Sequence, residues 1–221
     1  MPSPLFEASV ANEKEKKRER PANVSGIVVN NLDLIRQGKV LVRIPSLGEE
    51  VWARVASAGA GSSRGIMYIP QPDDEVLVSF VNDDPNDAYI TGGTWSTRDS
   101  PPVGSPTELL VKRKIKTGLL GGLGHEMEFD DAKQSITITS STQQKVVIDP
   151  RQIEISTVGG TAKVTLDVTG KITIQGIISI ELNALQEIKL QATQINIEGA
   201  VATSVKSGGV CNINAPMVKI N

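Results

Sequence analysis

The chain has 221 residues, enough for one large domain or two small ones, with a formal net charge of −2 and a single cysteine, Cys211. The near-neutral charge excludes the basic excess of a protein that coats nucleic acid, and a lone cysteine excludes an internal disulfide. No run of 18 apolar residues offers a membrane-spanning helix.

Residues 1–22 hold no apolar core of the signal-peptide kind and end in the charged run Glu13 to Arg20, EKEKKRER. This segment reads either as a solvated tail or as an arm that orders on a neighbouring subunit.

Residues 23–97 change character. Apolar alternation runs through VSGIVVN, KVLVRIP, VWARVAS, GIMYIP, EVLVSF and AYITGGTW, broken by turn-rich clusters at Asn30-Asn31, Pro45-Ser46, Gly59-Ala60-Gly61 and Asn82 to Asn86. Short strands at this spacing predict a Greek-key barrel of the OB type. Residues 98–133 read as a linker, because Pro101, Pro102 and Pro106 interrupt any ladder and Gly118, Gly121, Gly122 and Gly124 follow.

The last part, residues 134–221, carries a repeat of eight. Its first column is Val164, Ile172, Ile180 and Ile188, its third is Leu166, Ile174, Leu182 and Leu190, and its fifth is Val168, Gly176, Ala184 and Ala192. Looser pairs precede it at Ile136/Ile138, Val146/Ile148 and Ile153/Ile155, and Ile195/Ile197 follow after a step of seven. Alternation says strand, and a constant period says that equivalent positions stack. Phe129 is the last aromatic, so these columns bury only aliphatic side chains, which suits a narrow interior.

An eight-residue strand-plus-bend is too short to close around one chain, whereas three chains wound together pair every edge except at the ends. The expectation is therefore an all-β homotrimer: an OB barrel followed by an intertwined triple-stranded β-helix. Its core is Val164, Leu166, Ile172, Ile174, Ile180, Leu182, Ile188, Leu190, Ile195 and Ile197, and its length is about 40 Å at one strand spacing per repeat.

Catalytic and cofactor chemistry finds little purchase. The only histidine is His125, so neither a zincin pair nor a Ser/His/Asp triad can be built persuasively. The acidic turns around Asp73-Asp74-Glu75 and Asp83-Asp84 lack calcium-loop spacing, and Gly118 to Gly122 lacks the Lys and Ser/Thr of a phosphate loop. No enzyme activity, cofactor or metal site is expected. The competing reading is an OB binding module for nucleic acid or glycan; against it, Trp52, Tyr68, Tyr89 and Trp95 are few and not interleaved with basic residues.

The run Gly38-Lys39-Val40-Leu41-Val42-Arg43-Ile44-Pro45, with Trp52-Ala53-Arg54-Val55-Ala56, Gly59-Ala60-Gly61, Arg64-Gly65 and Ile69-Pro70, resembles the phage baseplate assembly protein V family and the OB domain of VgrG spikes. So do Asp74-Glu75-Val76-Leu77-Val78-Ser79-Phe80, Asp84-Pro85, Tyr89-Ile90, Gly92 and Trp95, while Gly124-His125-Glu126 and Glu128-Phe129-Asp130-Asp131 resemble the lead into the β-helix of those spikes. The resemblance implies the trimeric central spike of a contractile injection machine. Such a spike is assembled in the cytoplasm, belongs to a virion tail baseplate or injection particle, and is driven into a target cell envelope. Phage tails, type VI systems and extracellular particles fit equally.

The family's large hub region is missing ahead of the OB segment, so a separate baseplate hub protein is expected at that end. Some phage spikes close with a His-x-His iron site; this chain instead ends in a rung-like Ala215, Pro216, Met217, Val218, Lys219, Ile220 and Asn221. That rung is expected to be blunt and to dock a PAAR-like tip protein.

Overall fold

A computed structural model describes residues 21–35, 37–118 and 124–220. All but Pro21 and Ala22 of the expected N-terminal arm lies outside the described residues, as do Leu119 to Leu123 of the linker and Asn221 of the docking rung.

Seven strands form in the first hundred residues: β1 (Asn23–Asn30), β2 (Lys39–Ile44), β3 (Glu49–Val55), the two-residue β4 (Ala60–Gly61) and β5 (Arg64–Gly65), β6 (Glu75–Phe80) and β7 (Ala88–Gly93). Five close a barrel in the order β1-β2-β3-β7-β6, antiparallel throughout except for the parallel β3–β7 pair. Period-two alternation fills it. Val24 and Val28 of β1, Val40, Val42 and Ile44 of β2, Val76, Val78 and Phe80 of β6, and Ala88 and Ile90 of β7 all point inward and are buried. The barrel is thus the OB-type closure expected from the sequence, and its core is built mainly of β-branched residues, with Ala53, Phe80 and Ala88 among them.

A four-residue helix, α1 (Glu108–Val111), leads directly into a second sheet. Its strands are β8 (Lys112–Lys116), β9 (Glu126–Asp130), β10 (Ser135–Thr139), β11 (Lys145–Ile148), β12 (Gln152–Ser156), β13 (Ala162–Asp167) and β14 (Ile172–Gly176). They pair strictly with their neighbours in sequence, all antiparallel, in one open seven-stranded meander.

Two expectations are corrected here. The stretch 98–133 is not linker throughout, because α1, β8 and β9 lie inside it. Up to Gly176, moreover, the strands pair within one chain rather than alternating with those of neighbours. The reversals explain this: Gln134, Gln143, Gly159, Gly160 and Gly170 take positive φ, which turns the chain tightly back on itself. The repeat columns consequently cross, so that Val164 faces Ile174 and Leu166 faces Ile172.

Chain compactness divides after Ile177. The described residues from 178 to 220 contain no helix or strand, and every one is exposed.

Candidate functional site

Register places the large apolar residues of the seven-stranded sheet on one face, in two rows. One row runs Phe129–Ile136–Ile148–Ile153–Leu166–Ile172, each directly opposite the next. The other runs Ile115–Met127–Ile138–Val146–Ile155–Val164–Ile174. Among the described residues nothing covers them: Ile138 is 42% exposed, Ile155 51% and Ile172 66%. The central part of this face is a shallow concavity lined by Ile138, Val146, Ile155 and Val164. A contiguous apolar patch of this extent marks an interaction surface.

The opposite face is polar. Its rows begin Lys114–Glu128–Thr137 and Lys116–Glu126–Thr139, and they continue to Thr165–Thr173 and Lys163–Gln175. Across β8 and β9 the charges interlock. Lys112 pairs with Glu108 at 2.9 Å and Glu128 at 3.6 Å; Lys114 pairs with Glu128 at 2.6 Å and Glu126 at 2.8 Å. The hydrogen bond from Lys112 holds the Glu108 carboxyl below its ordinary range, and that from Lys114 does the same for Glu126. Burial works against the Lys114 charge, but Glu126 and Glu128 outweigh it and raise its pKa.

The two sheet edges differ. On β8 the outward groups are partly capped. The Lys112 N–H donates to the Glu108 carbonyl, the Arg113 guanidinium donates to the Lys112 carbonyl at 2.9 Å, and the Tyr68 hydroxyl reaches from the barrel's β5–β6 loop to the Lys116 carbonyl at 3.1 Å. On β14, Lys171 and Ile177 bond to β13, so the backbone groups of Ile172, Ile174 and Gly176 point away from the sheet. Among the described residues no strand pairs with that side. β14 carries no charge and no proline, which makes it an open template for another strand.

Of the predicted trimer core, Val164, Leu166, Ile172 and Ile174 meet on the apolar face. Ile180, Leu182, Ile188, Leu190, Ile195 and Ile197 fall in the second unit and are exposed there, as are Ala215 to Ile220. Sequence reasoning left Ile115, Met127 and Phe129 out of this surface; the alternation in KRKIK and EMEFD was the available signal. His125 accepts a hydrogen bond at Nδ1 from the Ser141 backbone at 3.3 Å, a contact with the turn between β10 and β11. Among the described residues no group of three or more His, Cys, Asp or Glu side chains could hold a metal, and no helix is long and apolar enough to cross a membrane.

On the barrel wall the Arg54 guanidinium lies 4.5 Å from the Tyr89 ring centroid and 2.6 Å from the Asp87 carboxylate. Burial, with Asp87 adding to it, pushes the Tyr89 hydroxyl pKa up. The β1–β2 loop is pinned by Asp33, whose carboxylate accepts backbone N–H bonds from Lys39 at 3.0 Å, Gln37 at 2.6 Å and Ile35 at 3.1 Å. These donors hold its pKa down, Lys39 foremost.

Residues 24–95, which span the barrel, match the family described as the type VI secretion system/phage-baseplate injector OB domain. The chain is 37% identical over 94 residues to the type VI secretion system spike protein VgrG3 of Vibrio cholerae, covering 42% of this chain and 9% of that protein. It is 36% identical over 102 residues to the actin cross-linking toxin VgrG1 of the same species, again covering 42% of this chain and 9% of the toxin. A third relative, VgrG1b of Pseudomonas aeruginosa, is 29% identical over 119 residues, or 52% of this chain and 16% of that one. The chain therefore spans only a small part of the length of the relatives it matches. Residues 24–95 are thus an injector OB domain of the kind found in type VI and phage-baseplate spikes, and this part of the chain is similar to VgrG spike proteins.

Proposed function

We propose that the protein is the central spike of a contractile injection machine, working as a homotrimer in which three seven-stranded sheets bring their apolar faces together around an axis. One observation carries this reading: two complete apolar rows lie bare on a sheet whose other face is polar. Full burial of a side chain of this size is worth about 1.5–3 kcal/mol, so covering the ten exposed ones is a large driving force. A threefold arrangement lets every copy cover and be covered alike.

Residues 178–220 support the same reading. They alternate apolar and polar residues but have no ladder of their own, so their backbone groups need strands from other chains. The open β14 edge offers the place where such strands begin. In this arrangement the barrels form a collar against a baseplate hub. The Ala215 to Asn221 end takes a PAAR-like tip protein, and sheath contraction drives the assembly through a target cell envelope. The residues act by packing and pairing rather than by bond chemistry.

The test is the solution mass of the full chain by light scattering. Three times the 23.6 kDa chain mass is expected. A monodisperse monomer at micromolar concentration sinks the trimer and, with it, the spike.

A further inference from the structure

We propose that α1 and β8 form an electrostatic clasp on β9, opened by acid, which fastens the chain leaving the barrel to the root of the second sheet. The inner strands β10 to β13 are each flanked on both sides and place two aliphatic side chains in the apolar rows. β8 has a neighbour on one side only and supplies a single aliphatic, Ile115, which is 58% exposed. α1 buries no residue at all. Besides its backbone pairing with β9 and the Tyr68 contact, this segment is held by the charge ladder Glu108–Lys112–Glu128–Lys114–Glu126–Lys116, in which the Lys112 and Lys114 side chains are only 14% exposed and Glu128 17%.

The ladder is balanced only while its glutamates are ionised. β8 reads KRKIK, so neutralising its partners leaves four cations on five residues with like charges as neighbours. One further anion, Asp130, lies opposite Lys112 in the β8–β9 pairing. On the same face β10 offers Ser135, Thr137 and Thr139, and β11 adds another cation, Lys145. At the end of β9, Asp130 is engaged by the backbone N–H of Lys133 at 2.9 Å and by its ammonium at 3.6 Å. Glu108 and Glu126 have depressed pKa values, so the grip is complete above the ordinary carboxylate range and is lost as pH falls through their lowered values. Once it opens, α1 and β8 leave β9, and the barrel can swing on the sheet of β9 to β14 while the barrel and that sheet stay folded.

Hydrogen exchange on the full-length protein tests this, independently of the oligomeric state. The Thr117 amide donates to the His125 carbonyl at 2.8 Å, and alternation places the Arg113 and Ile115 amides toward β9 as well. In E126Q/E128Q at neutral pH, intrinsic-rate-corrected exchange across residues 112–117 should rise at least about tenfold, with β12 and β13 unchanged. Adding K112M/K114M should restore protection, because the cations left unpaired are gone; a merely structural role for the glutamates predicts no such rescue. Unchanged exchange in E126Q/E128Q, or an equal rise across all seven strands, overturns the clasp. Wild-type protein near pH 3 provides the second reading: β8 should open before β12 and β13, and simultaneous loss of all three overturns it.

Discussion

A β-carbon built on Gly26 would lie 2.3 Å from Cγ1 of Val42, inside any contact that real side chains make. Gly26 occupies an inward position of β1 between Val24 and Val28, opposite Val76 of β6 and against the Val42 side chain of β2. The barrel closes there only because that position has no side chain. G26A should therefore destabilise the barrel by about 1–3 kcal/mol, as overpacking does in other cores. Urea denaturation followed by Trp fluorescence reads this directly; a wild-type midpoint would mean that Val42 gives way freely.

Ile44 tests the same core from the other side. It is fully buried at the end of β2, and the Leu47 and Gly48 N–H groups bond to its carbonyl as the chain turns. I44A should cost about 2–5 kcal/mol, the range for a large aliphatic truncated without collapse of the cavity. The loss should appear in the barrel's own transition.

The apolar face of the second sheet predicts an effect on assembly rather than on folding. In I155D a carboxylate replaces a residue at the middle of one row, 51% exposed in the single chain. A lone chain tolerates that charge, whereas an assembly that covers it does not. Light scattering should show the trimer replaced by monomer while the Trp fluorescence of the barrel stays as in the wild type. T165D, on the polar face of the neighbouring strand, should leave the mass unchanged.

Asp33 predicts a local acid response. Its folded pKa is depressed by the N–H groups of Lys39, Gln37 and Ile35, so its contribution is complete above the ordinary carboxylate value near pH 4 and disappears as pH falls through the lowered folded value. The β1–β2 loop presents Leu32, Leu34 and Ile35 outward from this anchor. Exchange of the Gln37 and Lys39 amides should accelerate in acid while Val40 and Val42 stay protected. D33A should show the same acceleration at neutral pH.

The barrel was legible in the sequence because each of its strands buries alternate residues within one chain, so period two and turn chemistry sufficed. The second sheet was half legible. The pairs Ile136/Ile138, Val146/Ile148 and Ile153/Ile155 marked strands, but alternation is blind to whether the next strand belongs to the same chain. That was decided by reversals at Gln134 and Gln143, two positive-φ residues whose identity announces no turn as a glycine would. The run from Lys112 to Lys116 fell inside the expected linker; its strand partners lie ten or more positions away on β9, beyond any local pattern, and only the Glu108–Lys112 pair is local. In the eight-residue spacing the strands of the meander and the ladderless segment after Ile177 look alike.

The meander also fixes an order of events. Each pairing from β9 to β14 joins strands only a few residues apart in sequence, whereas barrel closure must bring Asn23 to Ser79. Contacts so local form early and at a rate that does not depend on chain concentration. Each newly made chain can thus complete its own sheet before it meets another. In the proposed trimer, covering the apolar face and pairing the residues beyond Ile177 must both wait for other chains, so the slow, dilution-sensitive phase of maturation belongs to these two steps.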